Sequence, residues 1–142
     1  MQGVYLVTDR GLCGNRSIFE IVLQAVQGGT AYVQLREKDL STRAFVEEAL
    51  AVKKLLAPFC VPLIINDRID VALACGAEGL HIGQEDMPYE TARRLMGPGA
   101  MIGLSVETWA DVEVSERLDV DYIGVSPVFA TPTKTDTKDP WG

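Results

Sequence analysis

Short apolar runs alternate with amphipathic stretches along all 142 residues of the chain. Most of these runs are continuously apolar, which is typical of parallel strands that are covered on both faces. The pattern predicts six strands, at Val4–Thr8, Tyr32–Leu35, Leu63–Ile65, Gly79–Ile82, Met101–Leu104 and Tyr122–Val125. It predicts five helices between them, at Ser17–Gln27, Thr42–Leu56, Asp70–Cys75, Tyr89–Met96 and Trp109–Glu116.

Two of the predicted helices begin with capping patterns. Ser17 is followed three residues later by Glu20, and Thr108 is followed by Asp111 in a weaker version of the same pattern. We expect each hydroxyl to accept a hydrogen bond from the backbone of the next turn, which fixes the start of the first and last helices.

Repetition of strand and helix predicts βαβ units and a parallel sheet. An open doubly wound sheet and an eight-stranded barrel both fit this pattern. The loop after the first strand lacks the GxGxxG pattern of a dinucleotide-binding sheet, and polar residues follow nearly every strand, as at the active face of a barrel. We therefore predict an α/β fold, a parallel TIM-type (β/α)8 barrel, in a single domain over residues 1–142. Because only six strands are predicted, we expect two βα units to be absent at the C-terminal end.

The composition of the chain excludes several classes of function. With 20 acidic and 13 basic side chains and a net charge of −7, the chain lacks the clustered cations of a nucleic-acid surface. No apolar run reaches the roughly 18–20 residues of a membrane span, and no signal peptide is visible. Three cysteines without CxxC spacing fit a reduced, cytoplasmic protein. We expect neither a nucleic acid nor a membrane as a partner.

Cations follow the second predicted strand. Gln34, Arg36 and Lys38 occupy alternate positions and therefore lie on one side of an extended segment. Two cations and an amide suit a pyrophosphate and the organic group attached to it. A solvated, charged strand end explains the same residues without any ligand.

Carboxylates follow the third and fourth strands. Asn66, Asp67 and Asp86 are residue types that cap helices, and that interpretation needs no ligand. Alternatively, Asp67 and Asp86 lie on neighbouring strand ends and ligate Mg²⁺, which is held by one or two carboxylates together with substrate phosphates. The single histidine, His81, is expected to be hydrogen-bonded and half-buried rather than a catalytic base.

Hydroxyl groups follow the last two strands. Ser105 is either a turn or cap residue or a donor to a phosphate oxygen. After the sixth strand, Thr131 and Thr133 stand on either side of Pro132 and are followed by Lys134. Two hydroxyls next to a cation in a rigid frame favour an anion-binding loop.

Five segments together resemble the thiamine phosphate synthase (thiamine-phosphate pyrophosphorylase) family. They are residues 5–9 (YLVTD), 33–38 (VQLREK), 65–68 (INDR), 81–86 (HIGQED) and 131–136 (TPTKTD). Each segment alone is weakly specific, but all five occur in order at strand ends, and the resemblance runs from residue 4 to residue 142. It implies a barrel enzyme of thiamine biosynthesis, a transferase that joins hydroxymethylpyrimidine diphosphate to a thiazole phosphate and gives thiamine phosphate and pyrophosphate.

The resemblance also implies roles for the strand-end residues. The implied substrate-binding residues are Gln34, Leu35, Arg36, Glu37, Lys38, Asn66, Ser105, Thr131, Pro132, Thr133 and Lys134. The implied catalytic residues are Arg36, Lys38, Ser105 and Lys134, and the implied Mg²⁺ ligands are Asp67 and Asp86. Phosphate contacts that the family makes after strands seven and eight have no counterpart in the 142 residues. We therefore expect residues 1–142 alone to be inactive.

Two other functions stay open. A thiazole tautomerase has the same fold, but a histidine lies two residues beyond its serine after the fifth strand, where this chain has Glu107, and it lacks the Thr-Pro-Thr-Lys run. A non-catalytic barrel that binds a phosphate ligand is favoured only by the missing end. The expected partners are the two small-molecule substrates, and a homo-oligomer that shields open sheet edges is a further expectation.

Overall fold

The fold is built on a parallel sheet whose six strands lie in chain order. The computed structural model describes residues 2–130 and 140–141, and within them each strand pairs with the next. The strands β1 to β6 are Tyr5–Val7, Tyr32–Leu35, Leu63–Asn66, Gly79–Ile82, Met101–Val106 and Tyr122–Val125. The helices α1 to α5 are Ile18–Gln27, Thr42–Leu56, Ile69–Cys75, Tyr89–Met96 and Trp109–Ser115. The predicted order of strands and helices is confirmed, although β5 extends to Val106 rather than Leu104.

The sheet is strongly rolled. Tyr5 on β1 and Tyr122 on β6 belong to its two edge strands, yet their hydroxyl oxygens lie 2.6 Å apart. Side chains of opposite edges meet only where the strands surround a common interior. The described strands therefore form the wall of a TIM-type barrel, which is the predicted fold class.

The main hydrophobic core lies between the sheet and the helices. β3 and β4 are buried along their whole length. The helices contribute buried side chains that include Val22, Phe45, Ala49, Val52 and Leu56. Burial of each larger side chain stabilises the fold by about 1.5–3 kcal/mol. This packing fixes the strands, and with them the residues that follow each strand.

Both predicted capping boxes are present. The Ser17 hydroxyl accepts from the Glu20 N–H at 3.2 Å, and the Glu20 carboxylate accepts from the Ser17 N–H at 2.7 Å. Thr108 and Asp111 make the reciprocal pair at the start of α5, with distances of 3.2 and 2.8 Å. These two helix starts were predictable because the interactions are local in sequence.

A short 3₁₀ helix, Arg10–Leu12, follows β1 and was not predicted. Asp9 is its N-cap, and the Asp9 carboxylate accepts from the Gly11 N–H at 2.9 Å. Because β1 and β2 are neighbours in the sheet, this turn lies beside the residues that follow β2.

The described residues contain no helix that is long and apolar enough to cross a bilayer. Cys13 and Cys75 are buried, Cys60 is exposed, and all three thiols are free. No disulfide therefore contributes to the stability of the chain.

Candidate active site

The carboxyl ends of β2 to β5 surround a pocket of about 510 Å³. This is the end of the sheet at which TIM-type barrels have their active sites. The pocket is lined by Arg36, Lys38, Asn66, Asp67, Gly83, Gln84, Glu85, Asp86, Ser105, Glu107 and Asp111. The structure thus brings together the predicted cations, carboxylates, amide and hydroxyl that come from four separate strand ends.

Arg36 and Lys38 reach the pocket from the end of β2. The Arg36 N–H donates to the Thr8 hydroxyl at 3.0 Å, which joins this segment to the end of β1. The Arg36 guanidinium donates to Asp9 Oδ2 at 3.1 Å, and Lys38 Nζ donates to Asp67 Oδ2 at 2.5 Å. Both cations are therefore paired with carboxylates, and an anionic ligand has to compete with those partners.

The other three residues of the predicted substrate-binding segment 34–38, at the end of β2, have different surroundings. Leu35 lies in the hydrophobic core. Gln34 is buried and donates from Nε2 to Tyr5 Oη at 2.9 Å. Glu37 is buried and accepts from Arg10 Nε and Nη2 at 3.1 and 2.9 Å. None of the three lines the pocket, and their roles in substrate binding stay predictions.

Asp67 has an uncommon backbone conformation. Its φ is 61°, in the left-handed region that residues other than glycine rarely adopt. The Asp67 N–H donates to the carbonyl of His81 on β4 at 2.8 Å. The N-cap of α3 is Arg68, and no side chain caps that helix. The interpretation of Asn66 and Asp67 as helix caps is therefore wrong, and both residues border the pocket instead.

Asp86 lies in the loop after β4 and faces Asp67. Its Oδ2 accepts from the Gly83 N–H at 2.7 Å, within its own loop. It does not cap α4, whose N-cap is Pro88. Burial raises the pKa of the Asp86 carboxyl, and the neighbouring Asp67 carboxylate raises that pKa further. Two carboxylates in such proximity favour a cation or a proton between them.

Ser105 lines the pocket from β5 and contacts the only histidine of the chain. His81 Nε2 lies 2.9 Å from Ser105 Oγ, and His81 Nδ1 lies 3.0 Å from Tyr122 Oη. His81 is hydrogen-bonded as expected, but at 9% exposure it is more deeply buried than expected. The Ser105 carbonyl accepts from Gln84 Nε2 at 2.6 Å, which ties the loop after β4 to β5.

The model of the thiamine monophosphate synthase family matches residues 4–142. The chain belongs to this family. It is 63% identical over 139 residues to thiamine-phosphate synthase from Albidiferax ferrireducens, covering 98% of this chain and 64% of that protein. It is 52% identical over 146 residues to thiamine-phosphate synthase from Leptospira biflexa, covering 100% of this chain and 70% of that protein.

A solved structure of the same family has the same fold. Thiamine phosphate pyrophosphorylase from Pyrococcus furiosus superposes with a TM-score of 0.83 at 35% sequence identity, over 91% of this chain and 62% of that one. Our chain therefore spans about two thirds of the length of the thiamine monophosphate synthase relatives that it matches.

The carboxylates of this thiamine monophosphate synthase family member fit Mg²⁺. Asp67 and Asp86 supply hard oxygen donors, and the Lys38 ammonium 2.5 Å from Asp67 shows that a cation is favoured there. The described residues contain no group of three or more His, Cys, Asp and Glu side chains that could hold a metal. Mg²⁺ does not require one, because phosphates and water complete its coordination beside one or two carboxylates.

Four acidic residues at the site were missed by sequence reasoning. Asp9 pairs with Arg36, while Glu85, Glu107 and Asp111 line the pocket. The rule that polar residues after a strand face the active end of a barrel applies to Asp9 as well as to the predicted residues. Asp111 was predicted only as a capping residue, and its carboxylate accepts from the Glu107 N–H at 2.9 Å as well as from the N-cap.

The predicted loop residues Thr131, Pro132, Thr133 and Lys134 lie outside the described residues. Their implied roles in binding and catalysis therefore stay predictions.

Proposed function

We propose that this chain contains the pyrimidine diphosphate site of a Mg²⁺-dependent thiamine phosphate synthase. Such an enzyme is a transferase that joins hydroxymethylpyrimidine diphosphate to a thiazole phosphate. The observation on which the proposal rests is the convergence of Arg36, Lys38, Asp67 and Asp86 on one pocket of about 510 Å³. Membership of the family over residues 4–142 supports it.

The two cations suit the diphosphate group of the substrate. The Arg36 guanidinium offers a planar fork to phosphate oxygens, and the Lys38 ammonium offers a compact charge. The Lys38 side chain is 53% exposed, and its partner Asp67 is a side chain rather than a backbone group. The Lys38 ammonium can therefore rotate towards a phosphate. Asn66 and Ser105 add neutral polar groups to the same wall of the pocket.

The chemistry depends on stabilising a leaving group. The bond between the pyrimidine methylene carbon and the diphosphate oxygen breaks, and the electron pair leaves with pyrophosphate. The lone pair of the thiazole nitrogen then forms the new carbon–nitrogen bond. Arg36 and Lys38 neutralise negative charge as it develops on pyrophosphate. Mg²⁺ held by Asp67 and Asp86 would supply further charge neutralisation at the phosphate oxygens.

This reaction has no need of a strong protein base. The nucleophile is a neutral nitrogen, so catalysis rests on positioning and on charge stabilisation. The site is consistent with that requirement, because its only histidine is buried and hydrogen-bonded to Ser105 and Tyr122.

The proposal extends to four residues that follow β6 in the sequence. We assign Lys134 to the diphosphate, and Thr131 and Thr133, with Pro132 between them, to the thiazole phosphate. We also assign the protein to the cytoplasm, which the three free thiols support.

A chimaeric enzyme tests the proposed function. This chain replaces the aligned stretch of the Albidiferax ferrireducens relative, to which it is 63% identical, and thiamine phosphate formation is measured with and without Mg²⁺. We expect Mg²⁺-dependent product formation that Asp86→Ala abolishes. Full activity of Asp86→Ala with a chelator present would contradict the proposal. Isomerisation of a thiazole phosphate without condensation would instead support the tautomerase alternative.

A further inference from the structure

A continuous chain of hydrogen bonds crosses the barrel interior and ends at the pocket. Gln34 Nε2 donates to Tyr5 Oη at 2.9 Å, and Tyr5 Oη lies 2.6 Å from Tyr122 Oη. Tyr122 Oη lies 3.0 Å from His81 Nδ1, and His81 Nε2 lies 2.9 Å from Ser105 Oγ. Side chains from five strands, β1, β2, β4, β5 and β6, thus connect a buried amide to a pocket hydroxyl.

Two glycines provide the space for this chain of side chains. A Cβ atom at Gly103 would lie 2.0 Å from the Tyr122 ring, and one at Gly124 would lie 3.1 Å from His81 Cε1. The His81 and Tyr122 rings pack with their centroids 5.5 Å apart. The absence of side chains at these two positions therefore allows the rings to meet.

Either hydroxyl can donate across the contact between Tyr5 and Tyr122, and the donor at the buried end favours one of the two directions. With the Gln34 amide donating to Tyr5, a Tyr5 proton directed at Tyr122 and a Tyr122 proton directed at His81 Nδ1 give each bond of the chain one proton. Burial raises the pKa of both tyrosine hydroxyls, which keeps both protons in place. A histidine that accepts at Nδ1 carries its proton at Nε2 and donates to Ser105.

We propose that Gln34, Tyr5 and Tyr122 fix the tautomer of His81 and thereby present the Ser105 hydroxyl to the pocket as a hydrogen-bond donor. The Ser105 oxygen accepts from His81, so its own proton remains for an acceptor such as a phosphate oxygen. Tyr122 and His81 are then positioning residues, and the assignment of that acceptor rests on the proposed function.

The tautomer is measurable without any substrate. The chain has one histidine, so ¹⁵N NMR of the imidazole at a pH where it is neutral reports His81 alone. We expect the Nε2-protonated form in the unchanged chain. Gln34→Glu replaces the terminal donor by an acceptor, which should reverse the chain and move the proton to Nδ1. Tyr122→Phe keeps the ring but cuts the connection.

The combination of variants separates this inference from a general structural effect. In the Tyr122→Phe background, Gln34→Glu should no longer change the tautomer. Tyr32→Phe is the matched control, because the Tyr32 ring stacks on Tyr5 at 5.9 Å but its hydroxyl is not in the chain of bonds. An Nδ1-protonated histidine in the unchanged chain, or one tautomer in both Gln34 forms, would overturn the inference.

A binding measurement tests the consequence at Ser105. We expect Tyr122→Phe to weaken the binding of inorganic pyrophosphate with Mg²⁺ about tenfold, the cost of one hydrogen bond to a charged group. In the Ser105→Ala background the same substitution should have no further effect. Additive effects would overturn the inference. Failure of the unchanged chain to bind pyrophosphate would instead count against the proposed function, because the tautomer is measured independently.

Discussion

The two ends of the sheet both have ion pairs, but the partners of the charges differ. At the amino end, Glu78 precedes β4 and accepts from the N–H of Leu63, the first residue of β3, at 2.9 Å. Lys53 lies 3.0 Å from Glu78 and also donates to the carbonyl of Gly76. Arg93 and Asp121 repeat the arrangement two strands further along the sheet, where Asp121 precedes β6.

Asp121 accepts both from Arg93 Nη2 and from the N–H of Ile102 on β5, each at 2.8 Å. Arg93 also donates to the carbonyl of Ala100 at 2.5 Å. Both ion pairs at the amino end also bind backbone groups, which cannot rotate out of place as side chains can. The positions of these four charged groups are therefore fixed.

At the carboxyl end the cations are paired with other side chains. Lys38 is bound to Asp67, and Arg36 to Asp9, while Asp67 also faces Asp86. A ligand with phosphates and a metal can replace each of these pairs without disturbing a strand. The difference indicates that charges at the amino end maintain the fold, whereas those at the carboxyl end are available for binding.

The largest expected effect on activity comes from the pocket carboxylates. Asp67→Asn should lower turnover of the chimaeric enzyme by several orders of magnitude, because an amide is a poor ligand for Mg²⁺. Asparagine tolerates the left-handed backbone of this position, and the lost ion pair is exposed, so the free energy of unfolding should change by less than about 1 kcal/mol. Normal turnover, or a loss of activity explained by unfolding in urea, would remove the distinction between the two ends.

Asp121→Ala should produce the opposite pattern. It leaves the Ile102 N–H without its acceptor and Arg93 without its carboxylate. We expect the free energy of unfolding to fall by about 1–3 kcal/mol. Affinity for pyrophosphate with Mg²⁺ should stay unchanged. Asp119→Ala is the control, because Asp119 is exposed and interacts through its backbone carbonyl. If Asp121→Ala weakens pyrophosphate binding and Asp119→Ala does not, the proposed difference between the two ends of the sheet is contradicted.

Sequence patterns were sufficient for the fold because the relevant interactions are local. Apolar runs located each strand, and the capping boxes at Ser17 and Thr108 located two helix starts. The same rule of polar residues after strands found the pocket residues. Helix capping was the alternative for Asp67, and the structure excludes it because Arg68 is the N-cap of α3 and no side chain caps that helix.

The partners of the charges were not predictable from spacing. Arg10 and Glu37 are 27 positions apart, as are Asp9 and Arg36. Their pairing depends on the register of β1 and β2 and on a 3₁₀ helix of only three residues. The interior link between Tyr5 and Tyr122 depends on the roll of the whole sheet, and no local pattern encodes that.

Arg10→Lys tests a contact that we expect to contribute both to stability and to ligand binding. Arg10 donates twice to the buried Glu37 and also lies 2.5 Å from Glu48, and Glu37 stands between the two pocket cations in sequence. Lysine keeps the charge but loses the fork. We expect stability to fall by about 1 kcal/mol and pyrophosphate affinity to fall a few-fold.

The exposed Arg16 supplies the matched control for that prediction. Arg16→Lys removes an equivalent guanidinium that makes no contact with Glu37 or Glu48, and it should change neither property. Full stability together with full pyrophosphate affinity in Arg10→Lys would show that the bidentate contact between Arg10 and Glu37 does not stabilise the end of β2.

The smallest expected effect is a change in the pH dependence of stability at the amino end. Partial burial tends to raise the pKa of the Glu78 carboxyl, but the hydrogen bonds from the Leu63 N–H and Lys53 lower that pKa below its ordinary value. A carboxyl whose pKa is lower in the folded state stabilises the fold above its unfolded pKa, and this contribution disappears as the pH falls through the folded pKa. Urea unfolding of the unchanged chain and of Glu78→Gln should therefore differ most at about pH 6 and converge towards about pH 3. Glu47→Gln, at an exposed position on α2, controls for the loss of a charge. A constant difference across this range would show that Glu78 acts through its shape rather than its charge.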